Sequence, residues 1–342
     1  MTDNNRNQSI LIVGTGAMAS LFAARLAAIG RQVTLLGTWQ EGLEALQKNG
    51  VHLVDEQGEE RVYPVEATDD PLLCAGAKQA LVLVKSWQTK RAARQLADCL
   101  SPNGVALTLQ NGLDNYQVLA GSIGEARAAL GVTTAGATLL APGRVRVGGN
   151  GKISISAHPR VVGLADLLHA AGFTVEIVND ANALLWGKLV INAAINPLTA
   201  LLRVPNGELL RRPTARTLMG IAAREAALVA AALGIQLPFP DPILAVEDVA
   251  RMTESNLSSM LRDVLRDSPT EIDSINGAII RAGESTGVAT PINRLLWELV
   301  SAMEVEPEGQ PAALKSRSKP NKKRVVSGQR PHHPLNYLGR IE

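Results

Sequence analysis

The sequence predicts an α/β chain in which a doubly wound, largely parallel sheet is followed by an all-α C-terminal domain. Three observations carry that prediction. From residue 9 to about 178, short β-branched or Leu-rich runs alternate with helical stretches. From about 181 to 303 the strand signal is gone, and Ala, Leu, Glu and Arg dominate. A glycine-rich turn joins the first strand to the first helix, and 342 residues suffice for two cores of ~150 residues each.

The first run, residues 10–13, reads as a buried strand and leads into Gly14-Thr15-Gly16-Ala17-Met18-Ala19 and the helical run 20–29. This is GxGxxA between a strand and a helix, the context of a Rossmann-type dinucleotide-binding turn. Gly14 permits the tight turn, Gly16 keeps a Cβ out of the path of a pyrophosphate, and Ala19 lets the helix lie close to the sheet. Unpaired N–H groups at the helix start then face the phosphates. The second strand, 32–36, ends at Gly37-Thr38, without the acidic residue that grips an NAD ribose. Arg25 and Arg31 are near in sequence but not at the strand end, so this locus only leans towards NADP. Strands 80–84 and 105–109 end in polar turns, Lys85-Ser86-Trp87-Gln88 and Gln110-Asn111-Gly112, at carboxyl ends where open α/β sheets bind ligands. Runs 152–156 and 174–178 complete the alternation.

In the helical half, the apolar run 184–202 is interrupted by Lys188, Asn192 and Asn196. At ~100° per residue, steps of four drift by only about 80° over the three positions, giving one polar stripe. With apolar residues on nearly all other sides the helix reads as buried, where unpaired polar groups cost ~1–3 kcal/mol each, so the stripe calls for a polar ligand. Pro197 removes one helical N–H and predicts a kink. Breaks fall at 205–207, 238–242 and 268–269. Ser258-Ser259-Met260 opens one further helix, and Ser268-Pro269-Thr270-Glu271 reads as a capping box with Pro at the first helical position, a pattern that by itself accounts for Glu271.

Domains are accordingly expected at 1–178 (dinucleotide-binding), 179–304 (all-helical) and 305–342 (a basic, Pro-rich tail, expected to be disordered). Residues 307–342 hold eight Lys or Arg against Glu308 and Glu342; this +6, within +2 overall, leaves −4 for the body. With ten aromatic residues in all and no basic run in the body, nucleic-acid binding is not expected. Lys188, Asn192 and Asn196 break the most apolar stretch below the ~18–20 residues of a membrane span, and the polar start lacks a signal-peptide pattern, so a cytoplasmic protein is expected. Cys74 and Cys99 lie in neither a CxxC nor a metal-ligand spacing, so no disulfide framework or structural zinc is expected.

Taken together, the GxGxxA turn, Lys85-Ser86-Trp87-Gln88, Gln110-Asn111-Gly112, the helix with Lys188, Asn192, Asn196 and Pro197, Ser258-Ser259-Met260-Leu261, and Thr270-Glu271-Ile272-Asp273-Ser274-Ile275-Asn276-Gly277 resemble the ketopantoate reductase (2-dehydropantoate 2-reductase) family, in order and spacing from about residue 9 to 300. The resemblance implies NADPH-dependent reduction of ketopantoate to pantoate, on the route to pantothenate and coenzyme A, with no metal. It implies that Lys188 is the general acid and that Glu271 supports it and contacts substrate. Asn192, Asn196 and Ser259 would bind substrate, and Lys85 and Asn111 would lie between the domains near cofactor and substrate. Members usually carry an Arg where this chain has Thr38, a departure that bears on the strength of the NADPH preference, and members are often dimeric. Two rivals stand beside this reading: a related reductase of another 2-oxo acid or imine, and a non-enzymatic dinucleotide-binding sensor whose basic tail recruits a partner.

Overall fold

The structure, a computed structural model, describes residues 9–149 and 151–304; the basic tail and the polar start lie outside the described residues. Its main sheet has eight strands: β1 (Ser9–Val13), β2 (Gln32–Leu36), β3 (Glu66–Thr68), β4 (Ala77–Val82), β5 (Leu100–Thr108), β6 (Ala128–Thr133), β7 (Lys152–Ser156) and β8 (Thr174–Val178). They lie in the order β8-β7-β6-β5-β4-β1-β2-β3. Every pairing among β1 to β6 is parallel, with Leu11 beside both Thr34 and Ala80, so these six follow the doubly wound order 3-2-1-4-5-6. β7 pairs antiparallel with β6 and parallel with β8, which reverses the last two strands. The order switches direction between β1 and β4, and the turns after β1, β4, β5 and β6 leave the sheet along one edge.

The helix Ala17–Ala28 buries Ala19 through Ala24 and Leu26, so it presents apolar side chains all round. The fold covers it twice. Beneath it lies the main sheet; above it lies a second sheet of four strands in the order Glu60–Tyr63, Val51–Val54, Arg144–Val147, Ala137–Ala141, with Val51 and Val145 in the same core as Phe22 and Leu26. The alternation of strand and helix in the sequence did not reveal this sheet, nor β3 and β6. Glu60–Tyr63 has a mostly exposed pattern, β3 is three residues long, and β6 is built on Ala and Gly, so none carries a strong strand signal. The runs expected at 80–84 and 105–109 are also corrected, to 77–82 and 100–108.

In the second half Asn182–Leu202 forms the axis, packed by Pro213–Ala232, Pro242–Met252, Ser259–Val264 and Pro291–Ser301 around Leu189, Val190, Ala193, Ala194 and Leu198. The expectation that its polar residues break the apolar stretch is corrected. The helix is 21 residues long and holds an 18-residue window of mean hydropathy 1.3, enough by length and composition to cross a membrane, but 72% of that window is buried inside the protein, as in a core helix.

Candidate active site

The turn after β1 is shaped to accept a phosphate. Gly14 has φ +132°, and a Cβ there would lie 3.0 Å from the Leu83 carbonyl at the exit of β4, so only glycine fits. Gly16 precedes the helix Ala17–Ala28, no side chain caps that helix, and a Cβ on Gly16 would meet nothing within 4 Å. Backbone donors at the helix start thus border an open cradle, which a side chain would invade. Ala19 is fully buried, Met18 packs against the core, and the buried Thr15 side chain lies where a Cβ on Gly37 would sit 2.6 Å away, so the ends of β1 and β2 are pressed together. Thr38 is exposed beyond β2. Arg25 is turned away from this edge, stacked on Phe173 at 4.6 Å and donating to the Gly172 carbonyl.

The turns after β4 and β5 are tied to each other by a buried amide network. Gln110 Nε2 donates to the Val84 carbonyl (2.9 Å) and to Thr89 Oγ1 (2.8 Å); Thr89 Oγ1 donates to Asn115 Oδ1 (2.7 Å), and Asn115 Nδ2 donates to the Asn111 carbonyl (2.5 Å). The network holds Asn111 in place, and Asn111 Nδ2 donates to Glu271 Oε2 at 3.2 Å. Ser86 N donates to the other oxygen, Glu271 Oε1, at 3.0 Å. Lys85 Nζ lies 3.8 Å from Glu271 Oε2 and donates to Asp263 Oδ2 at 2.7 Å. Burial works to lower the Lys85 ammonium, but Glu271 and Asp263 outweigh it and hold its pKa above the ordinary lysine value. Burial pushes the Asp263 carboxyl above its ordinary range, against the pull of Lys85.

Lys188 approaches the same edge from the helical half. It is half-buried, and Nζ donates to the Thr133 carbonyl, the last residue of β6, at 2.6 Å. Burial lowers its pKa from 10.5 to about 8, while the charge of Glu271 opposes the shift. Asn192, also half-buried, and the buried Asn196 follow on the next two turns of the helix. Lys188, Glu271, Lys85 and Asn111 therefore meet where the sheet edge faces the helices.

One expectation changes. The capping box at 268–271 does not form: the helical segment begins after Glu271, and the Glu271 carboxylate faces Ser86, Asn111 and Lys85 across the cleft. Among the serines, Ser258 is the buried one; its Oγ accepts from Leu261 N and from Thr199 Oγ1, capping Ser259–Val264, whereas Ser259 is exposed. Asp263 and Ser274 were not singled out by the sequence. An Asp four residues after Ser259 on a helix was the available sign of the first. Ser274 Oγ contacts Ser86 Oγ at 2.7 Å.

Gly112 closes the seam between the halves. Its φ is +91°, and a Cβ would lie 2.7 Å from the Ser274 carbonyl. Gly112→Ala is expected to lower stability by ~1–3 kcal/mol and to reduce turnover, because the segment bearing Glu271 must back away. A melt and a steady-state assay check this; an unchanged melting temperature would show that the seam has slack.

The family described as "Ketopantoate reductase PanE/ApbA" matches residues 10–160, and its C-terminal counterpart, "Ketopantoate reductase PanE/ApbA C terminal", matches residues 180–304. A 2-dehydropantoate 2-reductase of Archaeoglobus fulgidus is 37% identical over 305 residues, covering 87% of this chain and 99% of the relative. One from Halobacterium salinarum is 33% identical, covering 85% and 97%. Among solved structures, a PanE/ApbA family ketopantoate reductase from Ralstonia eutropha JMP134 superposes with TM-score 0.81 at 32% identity over 86% of this chain and 98% of that one. A D-mandelate dehydrogenase with NADH and anilino(oxo)acetate does so with TM-score 0.81 at 27% identity, again over 86% and 98%.

Proposed function

The chain belongs to the ketopantoate reductase family, and from that premise we propose that it reduces 2-dehydropantoate to pantoate, with NADPH as reductant and Lys188 as general acid. The observation that carries the proposal is the half-buried Lys188 ammonium at the end of β6, within reach of the Glu271 charge. When bound, the cofactor supplies a hydride to the ketone carbon. Charge then develops on the ketone oxygen, and Lys188 stabilises it and donates a proton there, leaving an alcohol and a neutral amine. A pKa of about 8 lets that amine regain its proton from solvent near neutral pH. One of its three N–H donors is spent on Thr133, which fixes the nitrogen and leaves two for substrate. Asn192, Asn196 and the exposed hydroxyl of Ser259 supply donors for the carboxylate and hydroxyl of the substrate, while Glu271 and Asn111 orient it.

The turn from Gly14 to Ala19 fits a pyrophosphate, and Thr38 would meet the adenosine ribose, with Lys85 and Asn111 at the nicotinamide end. The missing acid at Thr38 favours a 2′-phosphate. The buried, unpaired thiols of Cys74 and Cys99, pushed by burial up to about 11 and about 12, fit a cytoplasmic enzyme. A second reading has its own support. Asp69 lies just past β3, whose end pairs with the end of β2, and accepts from Gln40, two residues past Thr38, at 3.1 Å; a carboxylate at this end of β2 is an unfavourable neighbour for a 2′-phosphate, and the D-mandelate dehydrogenase neighbour holds NADH.

The test compares initial rates for ketopantoate and an aryl 2-oxo acid, each with NADPH and NADH. Ketopantoate with NADPH should lead in kcat/KM by about tenfold or more, the low end of what a single difference in pocket contacts gives in discrimination. A lead for the aryl acid would move the chain to the second reading, and a lead for NADH would overturn the cofactor assignment.

A further inference from the structure

The Lys188 helix contains a gap that its own backbone cannot fill. Pro197 sits inside Asn182–Leu202 and has no N–H, so the carbonyl of Ala193, four residues earlier, lacks its helical donor. Ala193 is fully buried, which keeps water from substituting. The donor comes from elsewhere in the chain: Asn276 Nδ2 donates to the Ala193 carbonyl at 3.0 Å. Asn276 is itself fully buried, and its Nδ2 also donates to Asn293 Oδ1 at 3.0 Å. Asn293 Nδ2 donates to the Ala222 carbonyl (3.0 Å) and to Glu225 (2.8 Å), and the Glu225 carboxylate accepts from Ile292 N and Asn293 N, both at 2.9 Å. The contact is thus braced by two further helices.

Its location relates it to the site. Asn276 lies in the π-turn Asp273–Gly277, five residues after Glu271, and Ala193 follows Asn192 on the helix of Lys188. The π-turn departs from ordinary helix right where the chain leaves the cleft, a placement typical of functional irregularities. We infer that Asn276 is a positioning residue, which locks the helix bearing Lys188 to the segment bearing Glu271 by supplying the donor that Pro197 withholds. The inference rests on the proposed pairing of Lys188 with Glu271.

The charges that bear on Lys188 are few. Its own helix carries no other charged residue, and β6 carries none. Glu271 faces it, with Lys85 and Asp263 behind Glu271. The ionisation of Lys188 therefore reports its distance from Glu271.

The test follows Nζ of ¹⁵N-labelled lysine by NMR against pH in the full chain, beside thermal melts, for wild type, Asn276→Ala and the double variant Pro197→Ala/Asn276→Ala. Asn276→Ala should lower the proton affinity of Lys188 by about threefold or more and lower the melting temperature. Pro197→Ala restores a helical N–H for Ala193, so the double variant should regain melting temperature while Lys188 stays shifted. A wild-type titration in both variants overturns the inference, and so does a titration in the double variant that recovers together with stability, because Asn276 would then only satisfy a carbonyl. If Asn276→Ala does not fold, the double variant decides alone. The titration needs neither substrate nor cofactor, so a wild type that titrates as described but leaves ketopantoate untouched counts against the proposed reaction and not against the lock.

Discussion

Lys188→Ala is expected to lower kcat for ketopantoate by about 10²- to 10⁴-fold, the span that a positioned general acid contributes. The loss falls mainly on kcat, since the proton moves only as the ketone oxygen gains charge, and binding before that point relies on several other donors. With Lys188 as the proposed acid, the wild-type enzyme is expected to show a matching pH signature. On that proposal only protonated Lys188 acts, so kcat should be flat below about pH 8 and fall above it. Lys188→Ala removes that limb along with the activity. Near-normal turnover in a steady-state assay would take Lys188 out of the mechanism.

The same residue makes a claim on stability. Its folded pKa of about 8 lies below the ordinary 10.5, so the unfolded chain holds the proton more tightly than the folded one. Below pH 8 the charged amine costs about 3 kcal/mol of stability, and that cost fades as pH rises from the folded to the unfolded pKa. Lys188→Met, apolar and of similar length, should melt no lower than wild type at pH 7 while being nearly inactive, with any advantage shrinking towards pH 10. Removal of a structural lysine would show the opposite pattern, a stability loss at least as prominent as the kinetic one.

The parts of this fold visible in the sequence were those set by local rules. Gly14 must be glycine because of its backbone conformation and the close approach of Leu83, Gly16 leaves the cradle before the helix open, Ala19 is small where the helix packs on the core, and the spacing of Lys188, Asn192 and Asn196 alone puts them on one helical face. The missed second sheet shows where such rules stop: its strands gain their stability from covering a helix that is apolar on all sides, and the coverage is non-local. Glu271 shows it within the site. Ser268 and Glu271 have capping-box spacing, but the carboxylate finds a backbone N–H, an amide and an ammonium from turns about 160 to 185 residues away, and those partners outcompete the local cap. Asn276 and Pro197 belong to the same class, each ordinary until the fold brings them together.

Glu271→Gln separates the two things that carboxylate does. The amide keeps one oxygen to accept from Ser86 N, although its NH2 then meets the Asn111 donor, and Lys85 keeps Asp263 at 2.7 Å, so the seam between the halves should hold better than in an alanine variant. The negative charge that sustains the Lys188 proton is gone, however, and the basic limb of kcat should move below pH 8. The expected loss is therefore itself pH-dependent: about 10- to 100-fold at pH 8, where the wild-type amine is half protonated, and smaller at pH 6, where even a weakened amine keeps its proton. Glu271→Ala should lose activity at both values and melt lower as well, since Ser86 N and Asn111 Nδ2 are left without the acceptor they now share, at ~1–3 kcal/mol each. A Gln variant with wild-type turnover and an unmoved limb would mean that Glu271 is only a strut between the sheet edge and the helices, and that Lys188 owes its protonation to some other group.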